Sequence, residues 1–309
     1  MAQHPQGLVV GIASSALFDL TYSDRVFREK GEDPYREYQA KLIDESLAPG
    51  VAFPFIRRLL SLNDLDPGNS LVEVIVLSRN DPETGLRVMR SIEHHRLPIT
   101  RAIFMQGRSP YKFMAPLGMS LFLSANSDDV RAATNLGFAA GQVLGKPAAD
   151  AEGTDLRIAF DFDGVLADDS SEQIMQSEGL DAFRAHESAN MDDPLPPGRL
   201  SEFLRGINRI QDLEELKIEE NPSYNRRVHV SIVTARNAPA HERVVRTLQG
   251  WNLRVNDAFF LGGIDKGPIL KVLRPHIFFD DQTKNLLEAA EEIPSVHIPF
   301  GVANAADSR

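Results

Sequence analysis

The sequence predicts an α/β protein of two tandem lobes, each a parallel sheet flanked by helices and carrying a small helical cap insert. Three observations carry this expectation. Short apolar runs alternate with amphipathic stretches, the pattern of repeated βαβ units. The first half of the chain aligns with the second, segment by segment and in the same order. The segment richest in turn residues between the halves, GKPAADAEGT at 145–154, has linker composition. The lobes are therefore expected at 1–150 and 151–309.

The second half gives its elements in order. LRIAF (156–160) is an apolar run ending in an acidic turn and reads as a buried strand. An insert follows at about 169–227, expected to cap the strand ends. Its Leu200, Phe203, Leu204 and Ile207 recur at helical spacing. VHVSIV (228–233) is the second strand. The helix after it should hold Pro239 in its first turn, Val244, Val245 and Leu248 on one face, and Gly250 as its stop. AFFL (258–261) is the third strand, followed by a helix from about Lys266 to Val272. HIFF (276–279) is the fourth, then a helix from Thr283 to Glu292, and VHI (296–298) is the fifth.

The first half repeats this plan. IVLSRNDP (75–82) aligns without a gap with IVTARNAP (232–239). ITRAIFMQG (99–107) lies over VNDAFFLGG (255–263), and LFLSAN (121–126) over IFFDDQ (277–282). FREKGEDPYRE (27–37) matches MQSEGLDAFRA (175–185), LAPG (47–50) matches LPPG (195–198), and ALFD (16–19) matches VLAD (165–168). Strand matches alone are weak, because any two α/β halves share apolar strands. The shared RNxP turn and the shared insert segments are the stronger signal.

Composition excludes several classes of function. The net charge of −11 leaves no general basic surface for a nucleic acid polymer. With no cysteine there is no disulfide, zinc–thiolate site or thiol nucleophile. No apolar run approaches the ~18 residues that cross a membrane. GLVVGIASSALF near the start has no Lys or Arg before it and reads as a strand and turn, not a signal peptide. A cytoplasmic protein is expected.

The halves differ at the strand ends, where open α/β sheets bind ligands. Asp161 and Asp163 follow the first strand of the second half; Ile12 and Ser14 stand at the aligned places. Asp280 and Asp281 follow HIFF; the first half has Ser124 and Ala125. Thr234 is replaced by Leu77, and Lys266 has no nearby counterpart unless Lys112 moves. Four converging carboxylates repel one another, and oxygen-only ligands suit Mg²⁺. A carboxylate there can attack phosphorus and a second can act as acid and base. Asp161 is the expected nucleophile and Asp163 the acid/base. Thr234, Ala235 and Lys266 are the expected phosphate-binding residues, and Asp161, Asp163, Asp280 and Asp281 the metal-binding ones.

The order DFDGVL, a strand ending in Thr234, Lys266, then FFDD resembles the haloacid dehalogenase superfamily of phosphatases. DFDGVLADDSSE, VTAR, FLGGIDKGPIL, RPHIFFDDQ and HIPFGVA, with LAPGVAFPF and SRNDPETG upstream, look like the cytosolic 5′-nucleotidase type I family over about residues 8–304. The resemblance implies Mg²⁺-dependent hydrolysis of AMP-like nucleoside 5′-monophosphates through an aspartyl phosphate, and a homo-oligomer. It also implies that the Asp163 backbone carbonyl joins Asp161 and Asp281 on the metal, with Asp280 adjacent. Ala167-Asp168-Asp169-Ser170 departs from the vertebrate pattern, so base preference is not carried over. A phosphatase of another small ester, such as a sugar phosphate, and a nucleotide-binding regulator without turnover are the alternatives.

Other residues have two readings. Arg236 either supports phosphate or fixes its turn, and Arg79 at the aligned place favours the turn. Phe183 and His186 either stack on a base or pack, and the alignment of Tyr35 with Phe183 favours packing. His94 and His95 are expected on a helix surface, and Trp251 packed after Gly250. The first lobe is either a packing partner or retains a pocket for a nucleotide effector, the second reading being favoured if Lys112 and Ser78 face one cleft.

Overall fold

In a computed structural model the described residues are 7–147 and 153–301. The chain divides into two compact units, one ending at Gly153 and the next beginning at Thr154. The expected linker, 145–154, lies in part outside the described residues. The architecture is mixed α/β, with parallel strands flanked by helices. Among the described residues no helix is long and apolar enough to cross a membrane.

In the first unit the strands are β1 (Leu8–Ile12), β2 (Val72–Ser78), β3 (Arg101–Phe104), β4 (Met119–Ser124) and β5 (Ala140–Leu144), in the order β3-β2-β1-β4-β5. Between β1 and β2 lie α1 (Ser14–Leu17), α2 (Thr21–Lys30), α3 (Glu32–Lys41) and α4 (Phe53–Ser61); α5 (Pro82–His94) follows β2 and α6 (Ser127–Asn135) follows β4. All five residues of β1 are buried, as a central parallel strand covered on both faces requires.

In the second unit β6 (Leu156–Phe160), β7 (Val228–Thr234), β8 (Asp257–Phe260), β9 (Ile277–Asp280) and β10 (Ser295–His297) take the order β8-β7-β6-β9-β10. Between β6 and β7 lie α7 (Ser170–Glu178), α8 (Leu180–Ala189) and α9 (Ser201–Glu220); α10 (His241–Gly250), α11 (Gly267–Leu273) and α12 (Thr283–Ala289) follow the next strands. The periodic face of α9, Phe203, Leu204 and Ile207, is fully buried, with Leu200 just before it. Gly179 ends α7 and opens α8 at φ +87°, a left-handed position where a Cβ would be strained. Phe160 pairs with Ile232 on one side and Phe279 on the other, so the ends of β6, β7 and β9 meet at one edge.

Several boundaries differ from expectation. The Ala238–Pro239 bond is cis and α10 begins only at His241, so Pro239 stands in the approach to the helix. The helix expected to reach Glu292 ends at Ala289, shortly before Pro294, which has no amide to continue it. β9 runs one residue further than HIFF, so Asp280 is a strand residue. His95 is half-buried: its Nε2 lies 2.8 Å from the Leu47 carbonyl and its ring 5.1 Å from that of Phe53.

The units share particular hydrogen bonds at aligned places. Arg87 Nε donates to the Glu45 carbonyl at 2.9 Å, and Arg243 Nε to that of Asp193 at 3.0 Å. The Leu47 amide donates to Ser91 Oγ at 2.9 Å, and the Leu195 amide to Thr247 Oγ1 at 3.1 Å. Trp251 Nε1 reaches the Leu195 carbonyl at 3.0 Å, as His95 reaches that of Leu47. The Phe18–Pro49 bridge has its match in Ala167–Pro197.

Gly198 directly follows the second of these bridges. A Cβ there would stand 2.8 Å from the Val165 carbonyl oxygen and nearer still to Ala167. Because the obstructing atoms are backbone, Gly198→Ala should cost about 1–3 kcal/mol of unfolding free energy. Urea unfolding measures it, and an unchanged midpoint would show that the turn yields without cost.

Candidate functional site

β6 delivers Asp161 to the strand edge. Its amide donates to the Phe279 carbonyl at 2.7 Å, and its Oδ1 accepts from the Phe162 amide at 2.7 Å. The chain then turns tightly through Gly164 at φ +71°. A Cβ on Gly164 would lie 2.5 Å from Asp281 Oδ2, so both its conformation and its neighbour exclude a side chain.

β9 supplies Asp280 and, one residue on, Asp281. Asp280 Oδ1 accepts from the Gln282 amide at 2.8 Å and from Asn285 Nδ2 at 3.2 Å. His297 on β10 lies 3.0 Å from the Asp281 carbonyl. Lys266 immediately precedes α11 and is buried; its Nζ lies 2.7 Å from Asp161 Oδ2 and 2.7 Å from Asp280 Oδ2. Asp161, Asp280 and Asp281 each offer an oxygen within 4.8 Å of the others.

Three buried carboxylates thus face one lysine. Burial pushes Asp281 up to about 9, with Asp161 and Asp280 adding repulsion and Lys266 opposing. Burial also raises Asp161, against the pull of Lys266 and with the push of Asp280. Lys266 is raised although burial opposes it, because both carboxylates favour its charged form.

Asp163 stands outside this trio. Arg236 grips its carboxylate with two bonds, Nε to Oδ2 and Nη2 to Oδ1, each 2.7 Å. Nη1 of the same guanidinium pairs with Glu187 of α8, which is 1% exposed. Glu187 Oε1 also accepts from Arg243 Nη1 and Ser171 Oγ, each at 2.8 Å. Burial would raise Glu187, but Arg236, Ser171 and Arg243 together hold it below the usual carboxylate range. The two carboxylates and two guanidinium groups form a ladder that balances its own charge.

Thr234 ends β7, fully buried, with its Oγ1 3.3 Å from the Arg236 amide that donates to it. Ala235 is exposed, and its carbonyl accepts from the Gly263 amide at 3.1 Å. Phe183 is half-buried with its ring centroid 5.3 Å from the Arg236 guanidinium carbon, and His186 Nδ1 lies 3.3 Å from Glu187. Glu187 and Arg243 escaped the sequence reading. The signal was present: they align with Gln39 and Arg87, so a glutamate stands against a glutamine beside an arginine common to both halves.

At the aligned places of the first unit Ile12 is buried, and Ser124 Oγ donates to Asp129 Oδ2 at 3.0 Å. Ser78 lines a cavity there; Lys112 does not, its Nζ lying 5.3 Å from the ring centroid of Phe113.

A family model described as 5′-nucleotidase matches residues 1–305. Human cytosolic 5′-nucleotidase 1B is 32% identical over 297 residues, which is 94% of this chain and 48% of that protein. The chain therefore spans about half the length of this curated relative. Among solved structures, a histidinol dehydrogenase from Elizabethkingia anophelis is matched over 94% of this chain and 53% of that one, with 10% identity and a TM-score of 0.22. That score is too low to carry any argument.

The ladder yields a stability test. Glu187→Ala leaves two arginines buried without their shared partner and should cost about 3–5 kcal/mol. Glu187→Gln restores the group that Gln39 supplies in the first unit and should recover part of the loss. Urea unfolding of both variants measures this; a loss below about 1 kcal/mol for the alanine would mean that the ladder does not hold α8.

Proposed function

From membership of the 5′-nucleotidase family, to which the chain belongs, we propose that it hydrolyses nucleoside 5′-monophosphates, AMP-like ones included, to nucleoside and phosphate. The observation that carries this reading is the buried trio Asp161, Asp280 and Asp281 at one strand edge, with Lys266 bonded to the first two.

The donor set fits Mg²⁺. It is made of carboxylate oxygens, holds more negative charge than Lys266 balances, and sits where burial raises Asp161 and Asp281. Asp161, Asp280, Asp281 and the Asp163 backbone carbonyl would hold the ion, which when bound supplies charge neutralisation for the carboxylates and a phosphate oxygen.

In the proposed reaction an Asp161 oxygen attacks phosphorus as the bond to the 5′ oxygen breaks. Asp163 gives that oxygen its proton. A water molecule then attacks the aspartyl phosphate, Asp163 takes the water's proton, and the Asp161–phosphorus bond breaks to release phosphate. Lys266 and Thr234, with the backbone at Ala235, hold phosphate oxygens. For Asp163 to hand over a proton, one of its two bonds to Arg236 must open.

The same reading makes the two units, split near residue 150, copies of one capped domain, 1–150 being the non-catalytic one, with α7–α9 forming the cap within 169–227. The matched hydrogen bonds and the shared strand order support it. It further takes the protein to be cytoplasmic and homo-oligomeric.

Two measurements test the proposal. Phosphate release from a panel of nucleotides and sugar phosphates should need Mg²⁺ and stop with EDTA, and Asp161→Asn should lower kcat at least about 10³-fold. Release only from sugar phosphates would keep the chemistry and discard the substrate. Independently of turnover, Mg²⁺ at about a hundredfold its Kd should add about 2.7 kcal/mol to unfolding free energy. Asp281→Asn should abolish most of that gain, and an equal gain in the variant would remove Asp281 from the ion site.

A further inference from the structure

The first unit holds a cavity of about 510 Å³ at its own strand edge, the one that corresponds by alignment to the carboxylate edge of the second unit. Its volume is that of a small-molecule pocket. Leu77, Ser78 and Arg79, which align with Thr234, Ala235 and Arg236, lie in its wall. In the second unit Arg236 is buried between Asp163 and Glu187. At the aligned places the first unit has Ser14 and Gln39, so both partners of the arginine are gone. Arg79 accordingly turns outward: its side chain is 50% exposed, and its Nε donates to the Gly107 carbonyl at 3.2 Å. The cavity wall is thus left without the ladder that occupies the second unit.

What remains selects against phosphate. Four carboxylates line the cavity, Asp24, Glu32, Asp81 and Asp129, against two arginines. The threonine and lysine that would hold phosphate are absent: Leu77 stands at the first position, and Lys112 is outside the lining. Asp129 asks for a donor instead. It is 9% exposed; Oδ2 accepts from Ser124, while Oδ1 takes no hydrogen bond among the described residues. The nearest cation to Oδ1, Arg79 Nη1, is 3.7 Å away, and the Tyr111 phenol beside Asp129 is pushed up mainly by burial and then by that carboxylate. A buried acceptor oxygen without a donor costs free energy that a ligand hydroxyl or amino group would offset. An aromatic pair completes the lining: Phe27, 51% exposed, packs edge-on against buried Tyr35 with centroids 5.6 Å apart.

We propose that this cavity is a second binding site for an uncharged nucleoside, with the base against Phe27 and a hydroxyl or amino group donating to Asp129 Oδ1. The choice of a nucleoside over any other hydroxylated aromatic rests on the nucleotidase reading. The site lacks both reacting aspartates, with Ile12 and Ser14 at their places, so it binds without this turnover and can sense the product class.

Titration calorimetry of the full chain with adenosine and with cytidine tests this, alongside initial rates on AMP. Phe27→Ala, at an exposed position, and Asp129→Asn should each weaken nucleoside binding about tenfold. Neither should change KM for the nucleotide more than about twofold. Binding that ignores both substitutions, or no binding at millimolar nucleoside, would overturn the proposal. So would AMP binding in EDTA that is as tight as adenosine and equally sensitive to both substitutions, since the acidic lining would then not select. Nucleoside binding that responds to both substitutions in a chain without turnover would keep the site and discard the nucleotidase reading.

Discussion

Lys266 touches two carboxylates that could not otherwise be buried side by side, and the second unit is organised around that contact. Asp161 and Asp280 meet because β6 and β9 are paired with Phe160 opposite Phe279, which brings their last residues to one level. Asp281 follows directly, and Gly164 is glycine because any side chain would strike it. One lysine cannot balance three buried carboxylates, and the upward push on Asp161 and Asp281 is the residue of that imbalance. Strand register, turn and helix approach therefore serve one electrostatic problem that a divalent cation would complete.

The neighbouring ladder solves a different problem. Asp163, Arg236, Glu187 and Arg243 balance their charges among themselves, so they need no further ion. Their desolvation is costly, and a pair of this kind is weak evidence for stability alone. Its geometric content is greater: it ties the end of β7, through Arg236, to a side chain of α8, and so couples the insert helices to the position of Asp163. The first unit keeps the fold without it, using Gln39 and Arg87 in place of Glu187 and Arg243, the Arg87 guanidinium donating to the uncharged Gln39 Oε1 at 3.0 Å.

The strand ends were legible because apolar runs ending in acid, threonine or lysine are local signals, and parallel topology converts them into proximity. Asp161, Asp280, Asp281 and Lys266 come together for that reason. In sequence Asp163 reads as one more member of the acidic group, because alternation along a strand puts residues 161 and 163 on one side. The strand ends at Phe160, so alternation does not govern the turn, and Arg236 holds Asp163 apart from the trio. Pro239 illustrates a similar limit: a proline in a first helical turn and a proline just ahead of one leave nearly the same trace in sequence. Glu187 was hidden because nothing in a helix full of polar residues marks which one is buried.

The comparison between units separates what makes the fold from what makes the site. The bonds from Arg87 and Arg243 to backbone carbonyls, and those from Leu47 and Leu195 to hydroxyls, occur in both, so they belong to the scaffold. The charged groups Asp161, Asp163, Glu187, Asp280 and Asp281 occur only in the second, replaced in the first by Ile12, Ser14, Gln39, Ser124 and Ala125. At the place of Arg79 neither aligned carboxylate is present, so the desolvation of a buried guanidinium would not be offset there, whereas Arg87 stays buried on the oxygens of Gln39 and Glu45. Arg79 is half-exposed where Arg236 is buried, and it lines the cavity of the first unit.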